Sequence, residues 1–73
     1  MEVLTTSDLG RAIRARRKEL HYTQSYISEF TGLSVSFISD VENGKATAEF
    51  GKTLELLQIL GMDLFIESRG GAQ

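Results

Sequence analysis

The sequence contains no cysteine, no proline and a single histidine, His21, among its 73 residues. Without cysteine it can form neither a disulfide nor a thiolate metal site, and one histidine excludes a site built from several histidines of one chain. No stretch approaches the roughly 20 apolar residues that a membrane span needs. The N-terminal MEVLTTSD also lacks the basic-then-apolar order of a signal peptide. These absences favour a cytoplasmic protein with no metal or other cofactor and no membrane partner.

The length allows one small domain, which we expect to span residues 1–73. A domain of this size buries only about 60% of its unfolded surface, so its own core is marginal. Small domains often gain stability from disulfides, metals or association with a second copy. Because the composition excludes disulfides and metal sites built on cysteine or several histidines, it favours self-association.

The charge is distributed unevenly along the chain. The net charge of −2 counts against a nucleic-acid-binding protein. However, residues 9–20 carry five basic side chains and one acidic, whereas residues 40–67 carry six acidic and two basic. Local sign matters more than the total for a docking surface. Taken alone, the run RARRK is more typical of a solvated helix face.

Apolar spacing and capping residues predict four helices. The first begins near Ser7, with Thr5, Thr6 and Ser7 all able to cap it, and ends at His21 and Tyr22. Each later helix follows a threonine or serine and ends at or near a glycine. The predicted ranges are 24–31 after Thr23, 35–43 after Ser34 and 48–60 after Thr47, with stops at Gly32, at Asn43 with Gly44, and at Gly61.

The first and fourth helices carry the clearest apolar stripes. On the first, Leu9, Ile13 and Leu20 share a narrow arc, flanked by Arg16 and Arg17. One of these arginines is expected to be partly buried, where it needs an anionic partner. The fourth helix is apolar on two sides; we expect one side to consist of Phe50, Leu54, Leu57 and Leu60 and the other of Leu56 and Ile59.

The segment MDLFIE alternates in the manner of a strand. A single strand cannot satisfy its own backbone, and this chain offers only a short segment at Glu2–Leu4 to pair with it. Pairing with a second copy is the simpler solution. We therefore predict a dimerisation strand over residues 62–68, a flexible tail over 69–73, and a dimer interface that contains Met62, Leu64, Phe65 and Ile66.

The second and third helices together predict a helix-turn-helix. A tight glycine turn joins them, and Val35, Ser36 and Ser39 give the third helix an outward face of compact side chains. Such a face can enter a major groove about 12 Å wide, which bulky side chains would obstruct. The N-terminus of the second helix, at Gln24, has free backbone amides that can meet a phosphate.

From Leu9 to Glu67 the chain resembles the Cro/repressor-type (XRE-type) helix-turn-helix family. The residues that carry the resemblance are LGRAIRARRKELHYTQ, with its TQ pair, and GLSVSFISDVENGK, with its glycine turn, its Ile-Ser pair and its E-x-G ending. The continuation GKATAEFGKTLELLQILGMDLFIE resembles the small HipB-type antitoxins. The resemblance implies a mainly α, four- to five-helix lambda-repressor-like domain with a C-terminal strand that pairs across a homodimer.

The resemblance also implies roles for single residues. Glu42 would pair with Arg17, which wheel geometry alone could not separate from Arg16. Phosphate contacts would come from Thr23, Gln24, Asn43 and Lys45, and base contacts from Ser34, Val35, Ser36 and Ser39. The family often places Arg, Lys or Gln at base-reading positions, and this sequence has none there, so DNA shape is expected to carry more of the specificity. The implied partners are an inverted-repeat operator in double-stranded DNA and a HipA-like serine/threonine kinase toxin.

Tyr26 and Phe30 lie one turn apart on the second helix, off its predicted core face. The favoured interpretation is that Phe30 packs under the fourth helix and Tyr26 covers an edge. The alternative is a surface for a protein partner, since exposed aromatic pairs mark interfaces.

Three functions compete. The first is a repressor that autoregulates a toxin–antitoxin operon, with a stand-alone phage-like regulator as its variant. The second is a protein-interaction module without operator binding, which Asp40 favours slightly because its charge repels phosphate. The third, an enzyme, is rejected: the sequence has no glycine-rich phosphate loop and no second histidine, and Ser25 and Ser28 lack a recognisable base.

Overall fold

A computed structural model describes residues 1–70. In this part of the chain it contains four helices: α1 (Thr6–Glu19), α2 (Gln24–Thr31), α3 (Val35–Glu42) and α4 (Phe50–Ile59). No strand is assigned within residues 1–70. The mainly α, four-helix prediction is confirmed.

Three of the helices begin at side-chain caps. Thr5 and Asp8 form a capping box at α1, in which each side chain accepts from the other's backbone amide. Thr23 caps α2 and Ser34 caps α3, each by accepting an amide three residues on. Thus α2 and α3 begin where predicted, and α1 begins one residue earlier.

The predicted start of α4 is wrong. Thr47 does not cap it; the helix begins at Phe50, after Glu49, without a side-chain cap bond. The reason lies in the preceding turn, where the Ala48 amide donates to the Lys45 carbonyl at 3.4 Å. Residues 46–48 belong to this turn and therefore cannot form the beginning of α4.

Three helices end in the Schellman motif, in which a left-handed residue lets two amides fold back onto the last turn. Gly44 and Gly61 supply this conformation after α3 and α4, with φ of 82° and 69°. After α1 the residue is His21, with φ of 61°. The left-handed backbone at His21 ends α1 at Glu19, so the predicted end at His21 and Tyr22 is too late.

The core lies where α1 and α2 pack on α3, and the end of α4 adds further buried leucines to it. Gly10 lets α1 approach closely, because a methyl group there would overlap the carbonyl oxygens of Val41 and Glu42. Leu33, just after the turn, fills the space beneath α2 and α3. The buried apolar side chains are Ile13, Ile27, Leu33, Ile38, Val41, Leu56, Leu57 and Leu60.

The expected apolar side of α4 is partly wrong. Phe50 is 62% exposed, whereas Thr53 is buried at 5%. Side chains in a helix lean toward its N-terminus. The side chain of Phe50, the first residue of α4, therefore extends beyond the end of the helix and away from the core. The core face of α4 therefore begins at Thr53 and continues through Leu56, Leu57 and Leu60.

Residues 63–68 have no assigned secondary structure and make no backbone hydrogen bond to another described residue. Leu64, Phe65 and Ile66 are exposed. A strand that pairs across a dimer has no partner in a single chain, so the dimerisation strand stays a prediction. Of the predicted tail, residues 71–73 lie outside the described residues. Within residues 1–70, no helix is long and apolar enough to cross a membrane.

Candidate nucleic-acid interface

The turn between α2 and α3 is held by short local hydrogen bonds. Gly32 takes φ of 85° and its amide donates to the Ser28 carbonyl at 2.8 Å. The Thr31 hydroxyl donates to the Ile27 carbonyl at 2.7 Å and accepts from the Leu33 amide at 3.0 Å. With Leu33 buried at 6%, this turn has little freedom to change the angle between the two helices.

A buried ionic network joins three helices behind this turn. The Arg17 guanidinium donates from Nε and Nη2 to the Glu42 carboxylate at 2.6 and 2.9 Å, and from Nη1 to the Tyr22 carbonyl at 2.9 Å. The Gln24 amide donates to the same carboxylate at 3.1 Å. Arg17 thus has the anionic partner that a buried arginine requires. Arg16 instead donates to the Leu60 carbonyl at 2.9 Å and pairs with Glu19.

The Arg17–Glu42 pair is buried. Arg17 is 9% exposed and Glu42 7%. Hydrogen bonding to Glu42, and then the negative charge of Glu42, raise the pKa of Arg17 more than its burial lowers it. The pair is bidentate, the geometry in which arginine and carboxylate bind most strongly. No buried side-chain nitrogen or oxygen within residues 1–70 lacks a hydrogen-bond partner, so the network sets the orientation of α2 and α3 without a buried polar defect.

The outward face of α3 is small and polar. Ser36 is exposed and Val35 is 40% exposed. Ser39 is half-buried, and its hydroxyl accepts a hydrogen bond from the Asn43 side chain at 3.3 Å. Ser34 lies at the N-terminal end of this face, where its hydroxyl accepts from the Phe37 amide at 3.0 Å. No bulky side chain prevents α3 from entering a groove.

The N-terminus of α2 lies beside this face. The Thr23 hydroxyl accepts the Tyr26 amide at 2.9 Å. The amides of Gln24 and Ser25, like the first amides of any helix, have no partner inside the helix. This end of α2 therefore carries donors and a positive helix dipole, both of which favour an anion.

Arg14 is a candidate that the sequence analysis did not select. Its exposed side chain lines a polar depression together with Gln24, Ser39 and Asn43. It therefore places a positive charge between the end of α2 and the outward face of α3. The sequence does contain a feature that could have identified it: Arg14 precedes Arg17 by three residues, so both side chains lie on one side of α1.

Lys45 and Asp40 form an ion pair at the other end of α3, with 3.4 Å between Nζ and Oδ2. Both side chains are about half exposed. The acid that counted against DNA binding thus carries its own neutralising partner. No cluster of three potential metal ligands occurs in the part of the chain that the structure describes.

Tyr26 and Phe30 lie on the surface. Phe30 is 71% exposed and Tyr26 50%. Their rings stack with centroids 6.2 Å apart, and Tyr22 adds a third ring 5.0 Å from Tyr26. The favoured prediction that Phe30 packs under the fourth helix is therefore wrong, because Ile27 and Leu33 already fill the core beside α2. We call Tyr22, Tyr26 and Phe30 the aromatic row.

Comparison with known proteins finds related sequences in a bacterium and in a phage. The chain is 38% identical over 68 residues to an uncharacterized HTH-type transcriptional regulator, y4mF, of Sinorhizobium fredii (strain NBRC 101917 / NGR234), covering 93% of this chain and 90% of the relative. It is 36% identical over 58 residues to the ImmF control region 10 kDa protein of Bacillus phage phi105, covering 80% of this chain and 63% of that protein.

Solved structures share the fold. The HipB chain of a HipB-O4 20mer complex superposes with a TM-score of 0.84 at 20% identity, covering 93% of this chain and 96% of that chain. A HipA-HipB-O2-O3 complex gives the same values. At this identity the similarity establishes the fold alone.

The helix-turn-helix family model matches residues 13–65, more than half of the chain. The matched residues include the whole of α2, the turn and α3, the elements from which the candidate interface is built. The chain therefore belongs to the Cro/repressor-type (XRE-type) helix-turn-helix family, and it is a DNA-binding transcriptional regulator of that family.

Proposed function

We propose that this protein is a homodimeric repressor that binds an inverted-repeat operator and autoregulates its own operon as a HipB-like antitoxin. The observation that carries the DNA-binding part is the small polar face of α3, fixed beside the donor-rich end of α2 by the Arg17–Glu42 pair. The antitoxin part rests on the exposed aromatic row and on the fold shared with HipB, which occurs in a complex with HipA.

In the proposed complex α3 lies in the major groove. Ser34, Val35, Ser36 and Ser39 contact base edges, where serine hydroxyls can donate or accept and Val35 can pack on a thymine methyl. Phosphates are bound at the N-terminus of α2, by Thr23, Gln24 and the free amides, and beyond α3 by Asn43 and Lys45. We add Arg14 to this set because it lies between these two groups. Phosphate contacts position the protein, and base contacts specify the sequence.

Two copies are needed to read an inverted repeat. The exposed side chains of Leu64, Phe65 and Ile66, together with the unpaired backbone of residues 63–68, supply a strand that a second copy can complete. Met62 continues this segment toward the core, against which it packs. The two α3 helices would then enter successive major grooves about 10 base pairs apart.

The first experiment is selection of duplexes from a library with a randomised core, followed by anisotropy titrations at several salt concentrations. Affinity should fall steeply with salt, because binding releases counterions from the DNA. Ser36→Glu should weaken binding at least about 100-fold, since a like charge in the groove costs several kcal/mol. Gln58→Glu, which adds the same charge on the exposed side of α4, is the matched control. A flat salt response, or equal effects of the two variants, contradicts the proposal.

A second, independent experiment on DNA binding uses Arg14. Arg14→Ala should reduce the slope of log affinity against log salt by about one unit and weaken binding to all duplexes alike. Lys18→Ala removes an exposed charge on the same helix outside the polar depression, and it should leave that slope nearly unchanged. Equal slopes for Arg14→Ala and the wild type would remove Arg14 from the interface.

The toxin partner is tested through the aromatic row. A HipA-like kinase should co-purify with the wild-type protein from its native host, and Tyr26→Ala with Phe30→Ala should abolish this association without lowering DNA affinity or melting temperature. Phe50→Ala, at another exposed phenylalanine, is the control. Loss of folding in the aromatic-row variant, or retention of the kinase by it, contradicts this role.

A second candidate is a stand-alone regulator, favoured by the similarity to the phage phi105 control-region protein. It would bind its operator in the same way but without a toxin. A gene for a HipA-like kinase beside this one supports the antitoxin, and its absence supports the stand-alone regulator.

A further inference from the structure

Asp40 lies on the side of α3 that the proposed function turns toward DNA. It follows Ser36 by four residues, about one helical turn, so the two side chains leave the same side of the helix. The Asp40 side chain is 44% exposed. Its carboxylate oxygens lie one bond further from the backbone than the hydroxyls of Ser36 and Ser39.

Lys45 reduces the electrostatic objection to this placement. The Schellman turn at Gly44 directs the Lys45 amide to the Asp40 carbonyl at 2.9 Å, which returns the chain over Asp40. The Lys45 ammonium then lies 3.4 Å from the Asp40 carboxylate. The nearby positive charge offsets part of the repulsion between Asp40 and the DNA. Lys45 contacts Oδ2, so Oδ1 can accept a hydrogen bond from a base while the pair is kept.

The chemistry of a carboxylate limits which base it can read. An ionised carboxylate only accepts hydrogen bonds. In the major groove guanine presents two acceptors, thymine an acceptor and a methyl group, and adenine an acceptor beside its amino donor. Cytosine presents its amino group as the donor, and acidic side chains accept from that group.

We infer that Asp40 is a specificity-determining residue that accepts a hydrogen bond from the amino group of a cytosine in each half-site, with Lys45 offsetting part of its charge. This inference rests on the proposed function, because it needs α3 in the major groove. It also supplies base discrimination on a face whose other members are small and permissive. Lys45 keeps further N–H donors for a phosphate, since an ammonium carries three.

The experiment uses the full chain and the duplex that the wild-type protein selects from a randomised library. Every base pair of one half-site is then changed in turn, and affinity is measured for wild type, Asp40→Asn and Asp40→Ala. Glu55→Gln, an acid-to-amide change at an exposed position of α4, is the control. Circular dichroism checks that each variant folds.

The wild type and Glu55→Gln should prefer cytosine about tenfold at one position of the half-site. Asp40→Ala should lose this preference and no other. Asp40→Asn should shift the preference toward adenine, since asparagine pairs with the adenine edge. Each of these results supports the inference.

Two results overturn it while leaving the proposed function intact. Asp40 variants that bind every duplex more tightly by one common factor would mean that Asp40 acts only on the charge of Lys45. Variants with the wild-type preference at every position would mean that Asp40 does not contact a base. A wild-type protein that selects no duplex would overturn the proposed function and the inference together.

Discussion

Two glycines lie inside helices in opposite surroundings. Gly10 of α1 faces the backbone at the end of α3, where a methyl group would overlap the carbonyl oxygens of Val41 and Glu42. Gly51 of α4 has nothing within 4 Å of the position where its Cβ would lie. The same substitution therefore has opposite consequences at the two sites.

Gly10→Ala should lower the free energy of unfolding by about 1–3 kcal/mol, because α1 must move away from α3. Gly51→Ala should raise it by about 0.5–1 kcal/mol, because alanine favours a helix and meets no obstacle. Urea denaturation of both variants measures the difference. Equal changes in stability, or a stable Gly10→Ala, would contradict the close approach of α1 and α3.

Asp8 gives the protein a pH-dependent cap. Hydrogen bonds from the Leu4 and Thr5 amides and the charge of Arg11 lower the pKa of the Asp8 carboxyl below its ordinary value of 3.8. A carboxyl group with a lowered folded-state pKa stabilises the fold above its unfolded-state pKa, and this contribution is lost as pH falls through the folded-state value.

Between about pH 5 and pH 2, Asp8→Asn should therefore lose less stability than the wild type does. Thermal melts across that range measure the two profiles. Glu55→Gln serves as the control for losing one exposed carboxylate. Parallel profiles for Asp8→Asn and wild type would show that the cap adds nothing.

At the scale of helices, the Arg17–Glu42 pair fixes how α1, α2 and α3 fit together. Glu42→Ala leaves the buried guanidinium without its carboxylate, which should cost about 3–5 kcal/mol. The double variant Arg17→Met with Glu42→Leu should recover most of this loss, since apolar side chains of similar size can replace a buried pair. Glu55→Ala should change stability by less than about 0.5 kcal/mol.

Chemical denaturation of these variants tests the assignment. Glu42→Ala and Glu55→Ala with the same midpoint would mean that the pair is not a fixed part of the fold. If the double variant keeps its helices but does not recover stability, the loss comes from Gln24 and Tyr22, the other hydrogen-bond partners of the pair.

The helices were predictable wherever a local signal defines them. Thr23, Ser34 and Gly32 act on their immediate neighbours, so the bounds of α2 and the start of α3 follow from sequence. The start of α4 did not, because the turn through Lys45 and Ala48 overrides the capping preference of Thr47.

Burial could be predicted only for residues whose place in the core no other apolar side chain could occupy. Phe30 and Phe50 are as apolar as the residues that are buried, but the core is small. It is occupied by Ile27, Leu33 and Leu56, so neither phenylalanine is buried. Likewise, wheel geometry could not choose between Arg16 and Arg17, because Glu42 lies 25 residues away from Arg17 along the chain.

At the scale of the whole molecule, the exposed segment that ends the described chain is central. Phe65 and Ile66 are 83% and 90% exposed beside a backbone with no partner in residues 1–70. Such an edge is a template for another strand. The small core gives a second reason for association, because a dimer buries surface that one chain leaves in water.

Phe65→Asp should convert a dimer into a monomer of 8.1 kDa, because a charge would replace an apolar contact at the interface. Sedimentation velocity measures the mass, and Gln58→Glu serves as the control for added charge. A monomeric wild type, or a Phe65→Asp variant that remains dimeric, would contradict the proposed strand pairing.

The proposed complex presents α3 to DNA twice, at a fixed separation. It is tested most directly by binding to the selected duplex with and without about five extra base pairs between its half-sites, half a helical turn. Two protomers should bind the original duplex, and high-affinity binding should be lost on the lengthened one. One protomer on each duplex, with unchanged affinity, would contradict it.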